Sequence, residues 1–84
     1  MPEQLIGTVT HYFDGPHVAV VKVEEGELAV GDELRFVGHT SDFTERVSSM
    51  EIEHERVERV KAGAEVAIQV VERARQHDKV FKVT

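Results

Sequence analysis

The stretch Gly26-Glu27-Leu28-Ala29-Val30-Gly31-Asp32-Glu33-Leu34-Arg35-Phe36-Val37-Gly38 constrains the fold more than any other part of the chain. A Gly-Asp pair leads straight into an alternating segment, and a further glycine closes it. Leu34 and Phe36 share one phase while Glu33, Arg35 and Val37 share the other, the period of a half-buried strand. Gly31 can reach positive φ without steric cost and Asp32 can bond its own backbone, so the pair encodes a tight turn. Turn, short amphipathic strand, turn is the pattern of small barrels. It marks what bends and what packs, and it names no ligand.

The flanking sequence repeats the pattern. Residues 5–12 are β-branched and aromatic and predict a strand. Phe13-Asp14-Gly15-Pro16 predicts a turn, with a second strand from His17 to Val23 completing a hairpin. The near-continuous apolar run of that second strand implies burial on both faces or a covered outer face. Glu24-Glu25-Gly26-Glu27 reads as an acidic turn, 32–38 as the third strand and Gly38 to Phe43 as a loop. In a fourth strand, about 44–54, Phe43 and Val47 share a phase that Met50 and Ile52 reverse. One extra residue near Ser48-Ser49, a β-bulge, would bring all four inward. Residues 51–62 fit either a short helix or an extended end with a turn. After Gly63, Val66, Ile68 and Val70 alternate as a strand, Arg73 to Asp78 is a polar turn, and Lys79 to Val83 is the last strand. Short strands at this spacing with turns between them predict an all-β fold, a small closed or partly open β-barrel of six to seven strands.

Eighty-four residues leave room for one domain, 1–84. The absence of cysteine removes disulfides, thiolate metal sites and cysteine nucleophiles. No apolar run approaches the ~18 residues of a membrane span, and Met1-Pro2-Glu3-Gln4 has no signal-peptide character, so a soluble cytoplasmic protein is expected. The net charge of −6 disfavours nonspecific attachment to nucleic acid or anionic lipid, but it is unevenly spread. Residues 1–55 hold twelve acids against three bases, while 56–84 hold seven bases against four acids.

No catalytic constellation stands out. His11, His17, His39, His54 and His77 lie in separate turns and strand ends without metal-binding spacing, although His11 and His17 flank the first hairpin and could face each other. Glu51, Glu53 and Glu55 alternate as one solvated strand face, and Ser41, Ser48 and Ser49 have neither a base nor an elbow. No enzymatic activity, cofactor or metal is expected.

Taken in order, Gly7-x-Val9, the Gly26–Gly38 run, Val47-x-Ser49-Met50-Glu51-Ile52 and Ala62-Gly63-x-x-Val66-Ala67-Ile68 resemble the second domain of translational GTPases such as elongation factor Tu. The resemblance covers roughly residues 5–83. The chain is also similar to the C-terminal barrel of some collagenase-like peptidases and RNA-modifying relatives. It resembles as well small stand-alone translation elongation factor-like proteins, whose loop appears here as Gly38-His39-Thr40-Ser41-Asp42-Phe43-Thr44. Two departures stand out: Arg75-Gln76-His77-Asp78 replaces an Arg-x-Gly-Asp turn, and Ala64 stands where aspartate is common. The resemblance implies a domain-2-type barrel and resolves 51–62 toward strand and turn. With no Gly-x-x-x-x-Gly-Lys-[Ser/Thr] loop, nucleotide binding of the GTPase kind is excluded.

The relatives use this barrel near the ribosome or tRNA, which implies a binding module that contacts RNA or a ribosome-associated protein. The candidate surface is the basic set Arg73, Arg75, Lys79 and Lys82 together with His39 and Phe43 of the 39–44 loop. The alternative is a protein-interaction subunit docking onto a separately encoded peptidase-like or RNA-modifying enzyme. A second copy of the chain could cover the Val18–Val23 strand.

Overall fold

The structure is a computed structural model that describes residues 2–84; Met1 lies outside the described residues. Its regular elements are all strands: β1 (Glu3–Phe13), β2 (Val18–Val23), β3 (Glu27–Ala29), β4 (Glu33–Val37), β5 (Asp42–Arg46), β6 (Met50–Ile52), β7 (Glu55–Val57), β8 (Arg59–Lys61), β9 (Glu65–Gln69) and β10 (Lys79–Val83). Eight form one antiparallel sheet in the order β5-β4-β10-β1-β2-β9-β6-β7, and β3 pairs with β8 as a separate ribbon. The all-β reading holds, with more and shorter strands than the six or seven expected. No helix among the described residues is long and apolar enough to cross a membrane.

The sheet must roll up. In a flat sheet β5 and β6 would stand six strand spacings apart, about 29 Å, yet only Val47, Ser48 and Ser49 join them. That link spans at most about 15 Å. The sheet is therefore rolled around its core, although no backbone ladder joins β5 to β7 among the described residues. Hydrogen-bonded closure into a barrel is thus not reached.

The inward phases are those the alternation indicates. Leu34 and Phe36 of β4, Val66 and Ile68 of β9, and Ala19, Val21 and Val23 of β2 are buried together with Ile6, Val9, Leu28, Met50 and Val80. Each of these side chains except that of Ala19 contributes about 1.5–3 kcal/mol over its exposed state. Phe43 stacks on Phe36 with ring centroids 4.9 Å apart. The Gly31-Asp32 turn has the expected form: Gly31 adopts φ +98°, and an Asp32 carboxylate oxygen accepts the Ala29 N–H at 2.9 Å.

Two expectations are corrected. The phase change between Phe43 and Met50 comes from a break, not from a bulge at Ser48-Ser49. Val47 donates its N–H to the Asp32 carbonyl at 2.8 Å and accepts the Gly31 N–H at 2.9 Å. The chain then leaves β4 and enters β6 beside β9, so Val47 and Met50 are both buried without a shared ladder. The register irregularities fall in β1 instead, between Leu5 and Gly7 and between Val9 and His11. Finally, Glu51, Glu53 and Glu55 do not share one strand face. Glu53 and His54 are both left-handed (φ 50° and 67°) and turn the chain, so that Glu51 lies opposite Arg56 and Ile52 opposite Glu55. Residues 51–62 are strand and turn, as the resemblance implied.

Across β1, β10, β4 and β5 the outer face carries an ion network. Arg35 bonds Asp42 through two nitrogens at 2.9 Å each and reaches Glu3 at 3.2 Å. The hydrogen bonds from Arg35 hold the Asp42 carboxyl below its ordinary value, and the same contacts raise the guanidinium above its own. Because the folded-state value is depressed, the pair's contribution is present above the unfolded value of about 3.9 and disappears as pH falls through the folded one. In an Arg35→Met variant the Asp42 midpoint, followed by NMR of its side-chain carboxyl, is expected to return upward. A midpoint unmoved by the substitution would rule out Arg35 as the cause of the depression.

Candidate functional site

The basic residues sit on a preorganised loop. Beyond Thr8, β10 no longer pairs with β1, and residues 75–78 take its place. Val9 donates to the Asp78 carbonyl and His77 donates to the Val9 carbonyl, both at 2.8 Å. Asp78, 3% exposed, closes the turn by accepting the Arg75 N–H at 2.9 Å. His77 takes φ +79°, the left-handed region that favours glycine. Ala74 is fully buried, which leaves Arg73 and Arg75 exposed on either side of it. Between this loop and β1 lies a polar cleft of about 200 Å³ lined by His11, Tyr12, Arg73, Ala74, Arg75 and Gln76.

The four further candidates do not all lie together. Lys79 is exposed, and its strand partners are Thr8 and Val37. His39 is exposed in the turn closed by the Gly38 N–H to the Ser41 carbonyl at 2.8 Å. Gly38 packs directly on the Asp78 carboxylate, so the His39 turn abuts the arginine loop. Arg73, Arg75, Lys79 and His39 therefore gather around one end. Among the described residues none of Arg73, Arg75 or Lys79 makes an ion pair.

Lys82 does not join them. It shares the inward phase of Val80, three residues from Lys79 and on the opposite face, and its Nζ meets Asp32 at 3.3 Å and the Glu27 carbonyl at 3.3 Å. Phe43, considered as a stacking ring, is 8% exposed and packed on Phe36, so it offers no free face. His11 lies opposite Val20, not His17. The His11 ring packs on Phe13 with centroids 4.5 Å apart, while His17 Nδ1 lies 3.2 Å from the Tyr12 hydroxyl. No group of three or more His, Asp or Glu able to hold a metal is found among the described residues.

A second concavity was not singled out from sequence. The outer face of β2, β9 and β6 carries a groove of about 370 Å³ lined by Phe13, Pro16, Val18, Glu51, Ala67 and Gln69 among others. It continues into a hollow of about 370 Å³ that shares Glu51, His54 and Ala67 and adds Val20, Ile52, Glu53 and Glu65. The register explains it: Val18 faces Gln69, Val20 faces Ala67, and Ala67 faces Glu51. Ala67 is small, so the floor dips between its larger neighbours. The sequence signal was the apolar outer phase of β2, where Val18 and Val20 are only half-buried.

Comparison with known proteins places this fold. A family model for elongation factor Tu domain 2 matches residues 17–74. A collagenase of Porphyromonas gingivalis is 32% identical over 78 residues, covering 92% of this chain and 22% of the collagenase. An uncharacterized protease of Methanocaldococcus jannaschii is 31% identical over 77 residues, 90% of this chain and 19% of the protease. The chain thus spans about a fifth of the length of the curated relatives it matches. The C-terminal domain of a Geobacillus thermoleovorans protein assigned to the U32 peptidases superposes with a TM-score of 0.88 at 19% identity, covering 96% of this chain and 93% of that one. GDP-bound aIF5B from Aeropyrum pernix superposes with a TM-score of 0.65 at 16% identity, over 95% of this chain and 14% of that one. With its rolled antiparallel sheet and its Gly31-Asp32 and Ala62-Gly63 turns, the chain belongs to the elongation factor Tu domain 2 family.

Proposed function

We propose that this chain is a non-catalytic binding module that contacts RNA through the Arg73–Arg75 cleft. The observation that carries the reading is the pair of exposed, ion-pair-free arginines presented on a loop whose own backbone is pinned to β1. Guanidinium groups match phosphate oxygens bidentately, and neither arginine must give up an internal partner to bind. Lys79 extends the positive end of the molecule, with the turn that carries His39 beside it. The half-buried Tyr12 at the cleft wall supplies an aromatic edge, and base stacking is a common partner of phosphate contacts in single-strand recognition.

The test is fluorescence anisotropy with a labelled oligouridine RNA over a salt series. Binding is expected at low salt and to weaken as salt rises. Reversing both charges with Arg73→Glu and Arg75→Glu removes about two phosphate contacts, which should flatten the log–log salt slope by roughly 1.4. Both side chains are exposed, so thermal stability should not change. No binding near 20 mM salt, on the order of the low-salt limit, or a slope unaffected by the double reversal, overturns the proposal.

A second reading, docking onto another protein, is favoured by the curated relatives, proteases several times the length of this chain. A pull-down read with and without nuclease separates the two: RNA-mediated capture disappears with nuclease, and protein docking survives it.

A further inference from the structure

The groove on β2, β9 and β6 has two chemical parts that together specify an occupant. Its floor is apolar, with Phe13, Pro16, Val18 and Ala67 in the deeper half and Val20 and Ile52 in the shallower one. Its rim is acidic: Glu51, Glu53 and Glu65 line it, and no lysine or arginine does. We propose that this groove docks a basic, apolar segment of a partner protein, whose alternating aliphatic side chains fill the floor while lysines or arginines meet the rim. The inference deepens the docking reading above by naming its surface and the chemistry of its partner.

Three observations argue for this occupant. First, charge complementarity selects a basic segment, because opposite charge at an interface rim steers encounter and rejects wrong partners. Second, the same argument disfavours a second copy. A symmetric pair would bring this face against itself and oppose glutamates with glutamates in a chain of net charge −6. Third, the chain holds left-handed backbone at non-glycine positions around the groove. Glu53 and His54 form its end with φ 50° and 67°, and His17, with φ 56°, sits between the lining residues Pro16 and Val18. Asn-Gly would satisfy the Glu53-His54 turn far more cheaply. The turn keeps instead a carboxylate and an imidazole at the groove, and stored backbone strain of this kind clusters at binding sites.

The apolar and acidic parts can be tested separately with a short peptide of alternating lysine and leucine, against a lysine–serine peptide of equal charge. Isothermal titration at low salt is expected to show the leucine peptide binding at least about tenfold more tightly, the worth of a single buried side chain. Amide shifts in an NMR titration should fall on residues 13–20, 49–54 and 65–69. Ala67→Glu is the decisive variant. It adds negative charge, which would strengthen any diffuse attraction, yet it fills the floor, so the leucine peptide should lose about tenfold or more in affinity. Glu51→Gln with Glu53→Gln should weaken binding and reduce its salt dependence, with folding checked by thermal melts. Equal affinity for the two peptides, shifts mapping elsewhere, or unaltered binding by Ala67→Glu overturns the groove. So does concentration-dependent dimerisation in which the Ala67→Glu variant is monomeric, which would assign the face to a second copy. A nuclease-resistant partner that still binds Ala67→Glu would keep the docking reading and overturn this surface alone.

Discussion

Gly7→Ala is expected to cost most or all of the stability of this chain. A methyl built on Gly7 would overlap the Lys22 carbonyl oxygen and lie 3.0 Å from the Lys22 carbonyl carbon and 3.3 Å from the Val23 Cα. All three atoms are backbone, held in the β1–β2 ladder by the Gly7–Val23 and Thr8–Lys22 pairs. No rotamer can step aside, so the ladder itself must part. Overpacking of this kind costs about 3 kcal/mol or more, set against a total near the lower end of the ~5–15 kcal/mol range for a chain this small. A melting temperature lower by roughly 12–24 °C follows if the protein folds at all. A melt within about 4 °C of the parent, the shift that roughly 1 kcal/mol produces, would show that the strands part more easily than this contact implies.

Glu45→Ala is expected to be among the costlier changes of an ionisable residue. Glu45 lies on β5, an edge of the sheet, and its carboxylate accepts the Val71 N–H at 2.9 Å and the Glu72 N–H at 2.8 Å, just past the end of β9. The side chain thus makes a seam between edge strand β5 and the segment after β9, which no ladder joins. Hydrogen bonds to a charged group contribute about 1.5–3 kcal/mol each, reduced in this case because the bonds are exposed, so a loss of about 1.5–3 kcal/mol in total is expected. The effect should also be local. Hydrogen exchange of β5 amides should accelerate more than that of β1 and β2, because a sub-global opening precedes unfolding. Glu45→Gln, which keeps an acceptor but no charge, should fall about midway. Uniform acceleration across all strands would mean that the carboxylate supports the fold without acting at the seam.

Much of this architecture was legible in the residues, because it rests on period-two patterns within single strands. Leu34 with Phe36, and Val66 with Ile68, show their buried phase before any coordinates exist, and the Gly31-Asp32 turn behaves as its residue types demand. What was not legible depends on pairing across long separations. β3 is three residues long, too short for a periodic signal, and its partner β8 lies some thirty residues away. The change of phase before Met50 could be seen, but a bulge and a crossing between strands shift phase alike; only the Val47 hydrogen bonds to the Gly31-Asp32 turn separate them. At the candidate site, the exposure of Arg73 and Arg75 follows from the intervening Ala74. The diversion of Lys82 to Asp32 does not follow from composition, since those residues are fifty positions apart. The groove needed register: Val18 and Val20 announce an apolar outer phase, but its depth comes from Ala67 across the ladder.

The position of β10 has a consequence for how the chain is made. It stands between β4 and β1, third from one edge of the eight-stranded sheet, and it is the last strand in sequence. Until Lys79–Val83 has left the ribosome, β4 and β1 each lack a neighbour, and no smaller unit has a complete sheet to settle into. Folding of this unit therefore waits on its last strand, is dominated by contacts between distant residues, and is expected on the millisecond-to-second scale of such topologies. During that interval the waiting strand edges are open to pairing with other chains. The acidic excess of residues 1–55, most of the chain made before β10, keeps those nascent segments mutually repulsive.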